Sequence, residues 1–205
     1  MGEPNMEKYC DVMEEIKKRI SVIDYYLRGA HAVYMPPTVE SVGLQLRKVL
    51  ELIAFASLVA NRDSYAAAYA KFASHWHAGR MLADLEQVNP DFYPKPVVEA
   101  PLSESHANPN VLHQLRDRDP DYLSRGEFET AYGKCGALAH AENPYGSRID
   151  YDYYLKQVPA WRNQVINLLN NHKIRLVNEK EFYLVHMKED RDDKVHYYRF
   201  GQMPK

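Results

Sequence analysis

A lysine and a histidine lie six positions apart in this chain, within residues 132–146. Lys134 supplies a cation that can neutralise phosphate charge, and His140 supplies an imidazole that can move a proton near neutral pH. These two groups are the parts needed to cleave RNA without a metal ion. Lys134 and His140 are therefore the candidate catalytic residues.

Both residues, and the cysteine beside the lysine, also have structural interpretations. His140 would satisfy the last carbonyl groups of a helix, Lys134 would be a solvated charge, and Cys135 would be a small buried side chain. Two side chains six positions apart point about 120° away from each other on a regular α-helix. Lys134 and His140 would therefore converge only through a helix distortion or across a dimer interface.

Four further polar residues are candidates for nucleotide binding. Arg47 and Glu51 lie one helical turn apart, so they form either an ion pair that orients a phosphate or a pair on the exposed edge of the protein. Asn143 and Tyr145 follow the lysine and histidine, where they either hold a turn or reach a ligand.

The composition limits the classes of function. The formal net charge of -2 argues against an extended basic surface for long duplexes. Cys10 and Cys135 lack the paired spacing of a zinc ribbon or a disulfide scaffold, and His75 and His77 have no further ligand at zinc spacing, so neither a metal site nor a cofactor is predicted. With no signal peptide, and with a longest apolar run at residues 52–60 that is too short for a bilayer, we expect a cytoplasmic protein.

The sequence predicts a mainly α fold built as a bundle of about five helices. Apolar residues recur at helical spacing, and capping or stop residues stand at the ends of several of these segments, including the capping-box pattern that opens at Ser124. Pro159 is expected to kink or split the last helix. The predicted helices cover residues 6–27, about 38–61, about 64–88, 124 to about 142, and about 150–171.

A small antiparallel β ribbon is predicted after the last helix. The expected strands are residues 174–177, 182–188 and 195–200, and the last two are joined by a polar turn at residues 189–193. Residues 90–121 contain six of the 12 prolines and are interpreted as a long loop, lid or arm. The predicted division is a helical domain at residues 1–172 and a β appendage at residues 173–205.

Two strings resemble the layout of the HEPN (higher eukaryotes and prokaryotes nucleotide-binding) superfamily. They are Leu46-Arg47-Lys48-Val49-Leu50-Glu51 in an early helix and Gly133-Lys134-Cys135-Gly136-Ala137-Leu138-Ala139-His140 in a late one. The family's usual signature is an arginine, a polar residue and then a histidine, and here lysine and cysteine occupy the first two places. The resemblance implies that His140 is the catalytic or binding histidine, and that Lys134 replaces the arginine.

The resemblance also implies a homodimer whose motifs face a shared cleft. The leading hypothesis is a protein that binds or cleaves RNA, or binds a nucleotide, in a bacterial defence or toxin system; as an enzyme it would be a metal-independent endoribonuclease. The alternative is a noncatalytic protein-protein interaction module with a decayed site, which the 16 tyrosines favour. A third hypothesis is an enzyme that uses Cys135 as its nucleophile.

Overall fold

The computed structural model describes residues 5–29, 35–68, 77–101, 113–176 and 181–201. Within those ranges the chain forms six helices and one five-stranded sheet, which confirms the mainly α class. The helix count is six rather than five, because the third predicted helix corresponds to two helices; residues 69–76 between them lie outside the described ranges. The helices are α1 (Met6–Arg28), α2 (Met35–Ala60), α3 (Arg62–Ala68), α4 (Ala78–Val88), α5 (Arg125–Ala137) and α6 (Tyr151–Leu169).

Local end signals fix the first helix as predicted. The Asn5 side chain accepts a hydrogen bond from the Lys8 amide at 2.9 Å, and the Gly29 amide donates to the Tyr25 carbonyl at 3.0 Å. The inward face of α1 packs against α2. Its fully buried side chains include Tyr9, Met13, Ile16 and Ile23.

Helix α2 is the centre of the bundle, because it contacts α1, α4, α5 and α6. Its second half is apolar on most sides, as expected for a segment surrounded by other helices. The two ends of its buried stripe are Val39 and Ala60, both almost inaccessible to solvent.

In the part of the chain that the structure describes, no helix is both long enough and apolar enough to cross a membrane.

Two helices differ from their predicted extent. Helix α6 runs without interruption through Pro159, so the proline neither splits it nor ends it. Helix α5 ends at Ala137, before the expected stop at Asn143. Gly136 lowers the helix propensity at this point, and the Ala139 amide turns back to the Gly136 carbonyl at 3.1 Å.

The sheet is larger than the predicted ribbon. Its strands are β1 (Lys95–Pro101), β2 (His113–Asp117), β3 (Asn171–Arg175), β4 (Phe182–His186) and β5 (His196–Phe200), and all neighbours pair antiparallel in the order β2-β1-β3-β4-β5. The interpretation of residues 90–121 as a loop was therefore wrong for β1 and β2. Both prolines of β1 lie near its ends, where a missing amide donor disturbs few ladder bonds.

A buried histidine attaches the sheet to the helices. His172 in β3 is fully buried, and its Nδ1 lies 2.7 Å from the Leu169 carbonyl oxygen, which can only accept. Nδ1 therefore carries the proton, and Nε2 accepts from the Tyr9 hydroxyl of α1 at 2.8 Å. Burial lowers the pKa of His172 to about 4, so the ring is neutral near pH 7.

Two more contacts hold the sheet against the bundle. The Asn89 side-chain amide donates to Asn61 Oδ1 at 2.7 Å and to the Arg175 carbonyl at 2.9 Å, linking α2, α4 and β3. The polar turn between β4 and β5 forms as predicted, and the Val195 amide beside it donates to Glu14 of α1 at 2.7 Å.

We expect Tyr9→Phe to reduce the free energy of unfolding by about 1–3 kcal/mol, because His172 Nε2 would remain buried without its donor. Urea denaturation measures this loss. Tyr25→Phe is the matched control, since Tyr25 lies on the same helix but is largely exposed, and its effect should stay within about 0.5 kcal/mol. Equal midpoints for the two variants would contradict the structural role of this hydrogen bond.

Candidate functional site

The capping box at the start of α5 positions the helix that carries Lys134. The Ser124 hydroxyl accepts from the Glu127 amide at 3.3 Å, and the Glu127 carboxylate accepts from the Ser124 amide at 2.9 Å, as the sequence predicted. Hydrogen bonds from Ser124 lower the pKa of Glu127, which keeps this carboxylate ionised. Phe128 and Cys135 face the core, so Lys134 is left on an outer face of the helix.

Lys134 is exposed and lies on the side of α5 that meets α6. Its Nζ is 5.3 Å from the ring centroid of Tyr153, and its carbonyl accepts from the Tyr154 hydroxyl at 3.0 Å. A cation at this distance from an aromatic face is weakly stabilised and stays accessible to solvent. Lys134 can therefore contact an anion that approaches from outside.

His140 is exposed and lies beyond the end of α5. The chain leaves the helix at Ala137, so the two candidate catalytic residues do not share one regular helix. Among the described residues, none forms a hydrogen bond with the His140 ring. Its imidazole is therefore open to a ligand, and it does not bind the last carbonyls of the helix.

Arg47 and Glu51 form an ion pair on α2, with 3.3 Å between Arg47 Nε and Glu51 Oε1. The Arg47 guanidinium also crosses to α5, where it donates to the Tyr132 hydroxyl at 2.8 Å and to the Tyr132 carbonyl at 3.3 Å. Its central carbon lies 4.1 Å from the centroid of the Tyr132 ring. The Tyr132 hydroxyl in turn donates to Glu51 Oε1 at 3.3 Å. Three side chains from two helices therefore form one hydrogen-bonded cluster.

Glycines allow this close approach of α2 and α5. A Cβ atom at Gly136 would lie 2.5 Å from Arg47 Nη1, and a Cβ atom at Gly43 would collide with Leu138. The two glycines therefore leave room for the Arg47 guanidinium at one point and for a buried leucine at the other. A Cβ atom at Gly133, on the same helix as Gly136, would meet no other atom within 4 Å, so Gly133 faces open space.

The structure separates Lys134 from the Arg47 cluster. Lys134 follows Tyr132 by two residues, which corresponds to about 200° around an α-helix. Arg47 contacts the Tyr132 and Gly136 side of α5, whereas Lys134 lies beside Tyr153 of α6. The two cations are therefore on different sides of the same helix.

Asn143 and Tyr145 lie in the loop after α5. Asn143 Oδ1 accepts from the Tyr145 amide at 3.0 Å, and the Asn143 carbonyl accepts from the Gly146 amide at 2.8 Å, so Asn143 holds a turn. The Glu142 carboxylate closes the same loop by accepting from the Ile149 amide at 2.7 Å. The Tyr145 side chain is 97% exposed and remains available to a ligand or partner.

A cleft of about 420 Å³ opens beside the Arg47 cluster, between α2, α4 and α5. Arg47 and Tyr132 line it where α2 meets α5, and His77 and Arg80 line it at the start of α4. Sequence reasoning considered His77 only as a metal ligand and missed Arg80 and Tyr132. No pattern among neighbouring residues predicts that Tyr132 belongs to this site, because Tyr132 and Arg47 are 85 positions apart in the chain.

Cys135 is completely buried, whereas Lys134 and His140 are exposed. Burial raises the pKa of its thiol to about 12, although the nearby Arg47 charge acts in the opposite direction. A thiol with this pKa is protonated at neutral pH and is a poor nucleophile. These properties fit the interpretation of Cys135 as a small core residue.

A scan against protein-family models, a search of curated proteins and a search of solved structures each found no match to this chain. Function is therefore inferred from the chain's own residues and their geometry.

Two glycine substitutions on α5 test the Arg47 contact. Gly133→Ala should raise the free energy of unfolding by up to about 1 kcal/mol, because alanine favours the helix and meets no neighbour. Gly136→Ala should instead lower it by about 1 kcal/mol, because the new methyl group displaces Arg47 from Tyr132 and Glu51. Denaturant unfolding compares the pair, and equal stabilisation by both would show that the guanidinium position is unimportant.

Proposed function

We propose that this chain is a HEPN-like helical protein that acts as a homodimer and binds RNA or a nucleotide, with Lys134 and His140 as its contact residues. The main observation in its support is that the Lys134 side chain on α5 and the His140 side chain just beyond it are exposed, while Arg47 of α2 is held against the same helix. This proximity of the two strings that resemble the HEPN layout supports the proposal. A bacterial defence or toxin system is the proposed setting.

The exposed groups are suited to metal-independent cleavage of RNA. His140 would accept the proton of a ribose 2′-hydroxyl as that oxygen attacks the adjacent phosphorus, and the bond from phosphorus to the 5′-oxygen would break. The leaving oxygen would take a proton from water, giving a 2′,3′-cyclic phosphate and a free 5′-hydroxyl. Lys134 would stabilise the charge that develops on the phosphate oxygens.

A dimer would bring the required groups together. Each chain presents one exposed ammonium on α5 and one exposed imidazole just beyond the end of this helix. Two copies related by a two-fold axis would place two such pairs around one phosphate.

His140→Ala should reduce RNA cleavage at least 100-fold while leaving RNA binding within a few-fold, because it removes the proton acceptor but keeps the phosphate contact of Lys134. Lys134→Ala should weaken binding about tenfold. Gel analysis of single-stranded RNA measures cleavage, fluorescence anisotropy measures binding, and circular dichroism checks the fold. Lys18→Ala is the matched control, since Lys18 is an exposed lysine on α1. If His140→Ala and Lys134→Ala both behave like Lys18→Ala, the assignment of the site is wrong.

The second candidate function is a noncatalytic protein-protein interaction module, and the surface of β5 favours it. Strand β5 is at the end of the sheet order, and Tyr197, Tyr198 and Phe200 are each about 40% exposed. An edge strand with exposed aromatic side chains can pair with an extended segment of another protein.

Tyr197→Lys should abolish capture of a protein partner from cell extract, because it places a charge on the exposed surface of β5. Tyr145→Lys is the control, since it adds the same charge at an exposed tyrosine outside the sheet. Quantitative mass spectrometry of the captured proteins provides the measurement. A partner captured equally by the unmodified protein, Tyr197→Lys and Tyr145→Lys would contradict a role of β5 in the interaction.

A further inference from the structure

We propose that the cleft between α2, α4 and α5 is a binding site for a phosphate monoester group, held by Arg47, Arg80 and His77. The inference deepens the proposed function, on which it rests for the source of the phosphate, and it places ligand recognition on the side of α5 away from Lys134. A volume of about 420 Å³ falls in the range of small-ligand sites in proteins.

Arg47 supplies rigidly held donors on one wall of the cleft. A guanidinium has five N–H groups; two of them donate to the Tyr132 hydroxyl and carbonyl, and Nε faces Glu51 in an ion pair. The second N–H of each terminal nitrogen has no acceptor among the described residues. Because the two hydrogen bonds and the ion pair already hold the plane of the group, little conformational freedom would be lost when a ligand accepts from these N–H groups.

Arg80 and His77 supply donors on the opposite wall. Within the described part of the chain, no residue accepts from the Arg80 guanidinium, which is exposed at the start of α4. The Arg80 amide donates to His77 Nδ1 at 3.3 Å, so Nδ1 is an acceptor and the ring N–H is on Nε2. Because His77 lines the cleft, this N–H is a further donor for a ligand there.

The charge around the cleft favours an anion of low charge. Glu51 is paired with Arg47, and Glu129 at the rim is paired with Arg125 at 2.9 Å. Three guanidinium groups against two carboxylates leave an excess of one positive charge. This balance suits a single phosphate group and does not suit a metal ion or a long polyanion.

The geometry selects phosphate over an aromatic base. The Tyr132 ring is contacted by the Phe128 ring, by the edge of His77 and by the Arg47 guanidinium, so it has no open face for stacking. One guanidinium is enough to bind a carboxylate, whereas donors on two walls match the several terminal oxygens of a phosphate monoester. Recognition would therefore concern the phosphate and not the base attached to it.

Titration calorimetry with adenosine 5′-monophosphate tests the site, with adenosine as the ligand control. The unmodified protein should bind the monophosphate and not adenosine. Arg80→Gln should weaken binding at least tenfold. Gly133→Leu should abolish it, because the leucine side chain would enter the cleft that Gly133 leaves open. Gly126→Leu is the matched control, since Gly126 lies on the same helix, also faces open space and does not line the cleft; it should bind like the unmodified protein.

Oligonucleotides distinguish the two sources from which the phosphate could come, an RNA end or a free mononucleotide. A preference for 5′-phosphorylated RNA over the same RNA with a 5′-hydroxyl, lost in Gly133→Leu, would assign the site to RNA ends; binding of the mononucleotide alone would assign it to a small ligand. The inference is overturned if the monophosphate does not bind, or if Arg80→Gln and Gly133→Leu bind as well as Gly126→Leu. If the monophosphate does not bind but 5′-hydroxyl RNA is cleaved in a His140-dependent reaction, the cleft assignment is wrong and the proposed function stands. If the monophosphate binds as expected but no His140-dependent cleavage is found, the proposed cleavage is wrong and the cleft assignment stands.

Discussion

The Arg47 guanidinium occupies the contact between α2 and α5, and its position constrains both helices. A half-buried cation is costly unless it is paired, and here Arg47 donates two hydrogen bonds to Tyr132 and forms an ion pair with Glu51. The space for the group exists because residue 136 has no side chain. Loss of any one member would leave a charge or a hydroxyl without its partner, so the cluster favours a single arrangement of the two helices.

This arrangement gives α5 two surfaces with different chemistry. One surface presents Lys134 beside the Tyr153 ring of α6. The other meets α2, where Arg47 lies at the edge of the cleft between α2, α4 and α5. Lys134 is therefore exposed on one side of α5, whereas the Arg47 guanidinium is held against another side.

Features governed by neighbouring residues could be predicted from the sequence. The Ser124 capping box and the turn between β4 and β5 both depend on residues within five positions of each other. Strands β1 and β2 were missed because β1 contains two prolines and because β1 also pairs with β3, which is distant in the chain. The Arg47 to Tyr132 contact was equally hidden, since only the folded chain brings these residues together. Lys134 and His140 were chosen as candidates from their residue types, their spacing and the family resemblance, and the helix end between them was not predicted.

The strand order has a consequence for how the protein forms during synthesis. Strands β1 and β2 precede α5 and α6 in the chain, but the inner neighbour of β1 is β3, which follows them. Until β3 emerges from the ribosome, the inner edge of β1 has no partner and can pair with a neighbouring nascent chain.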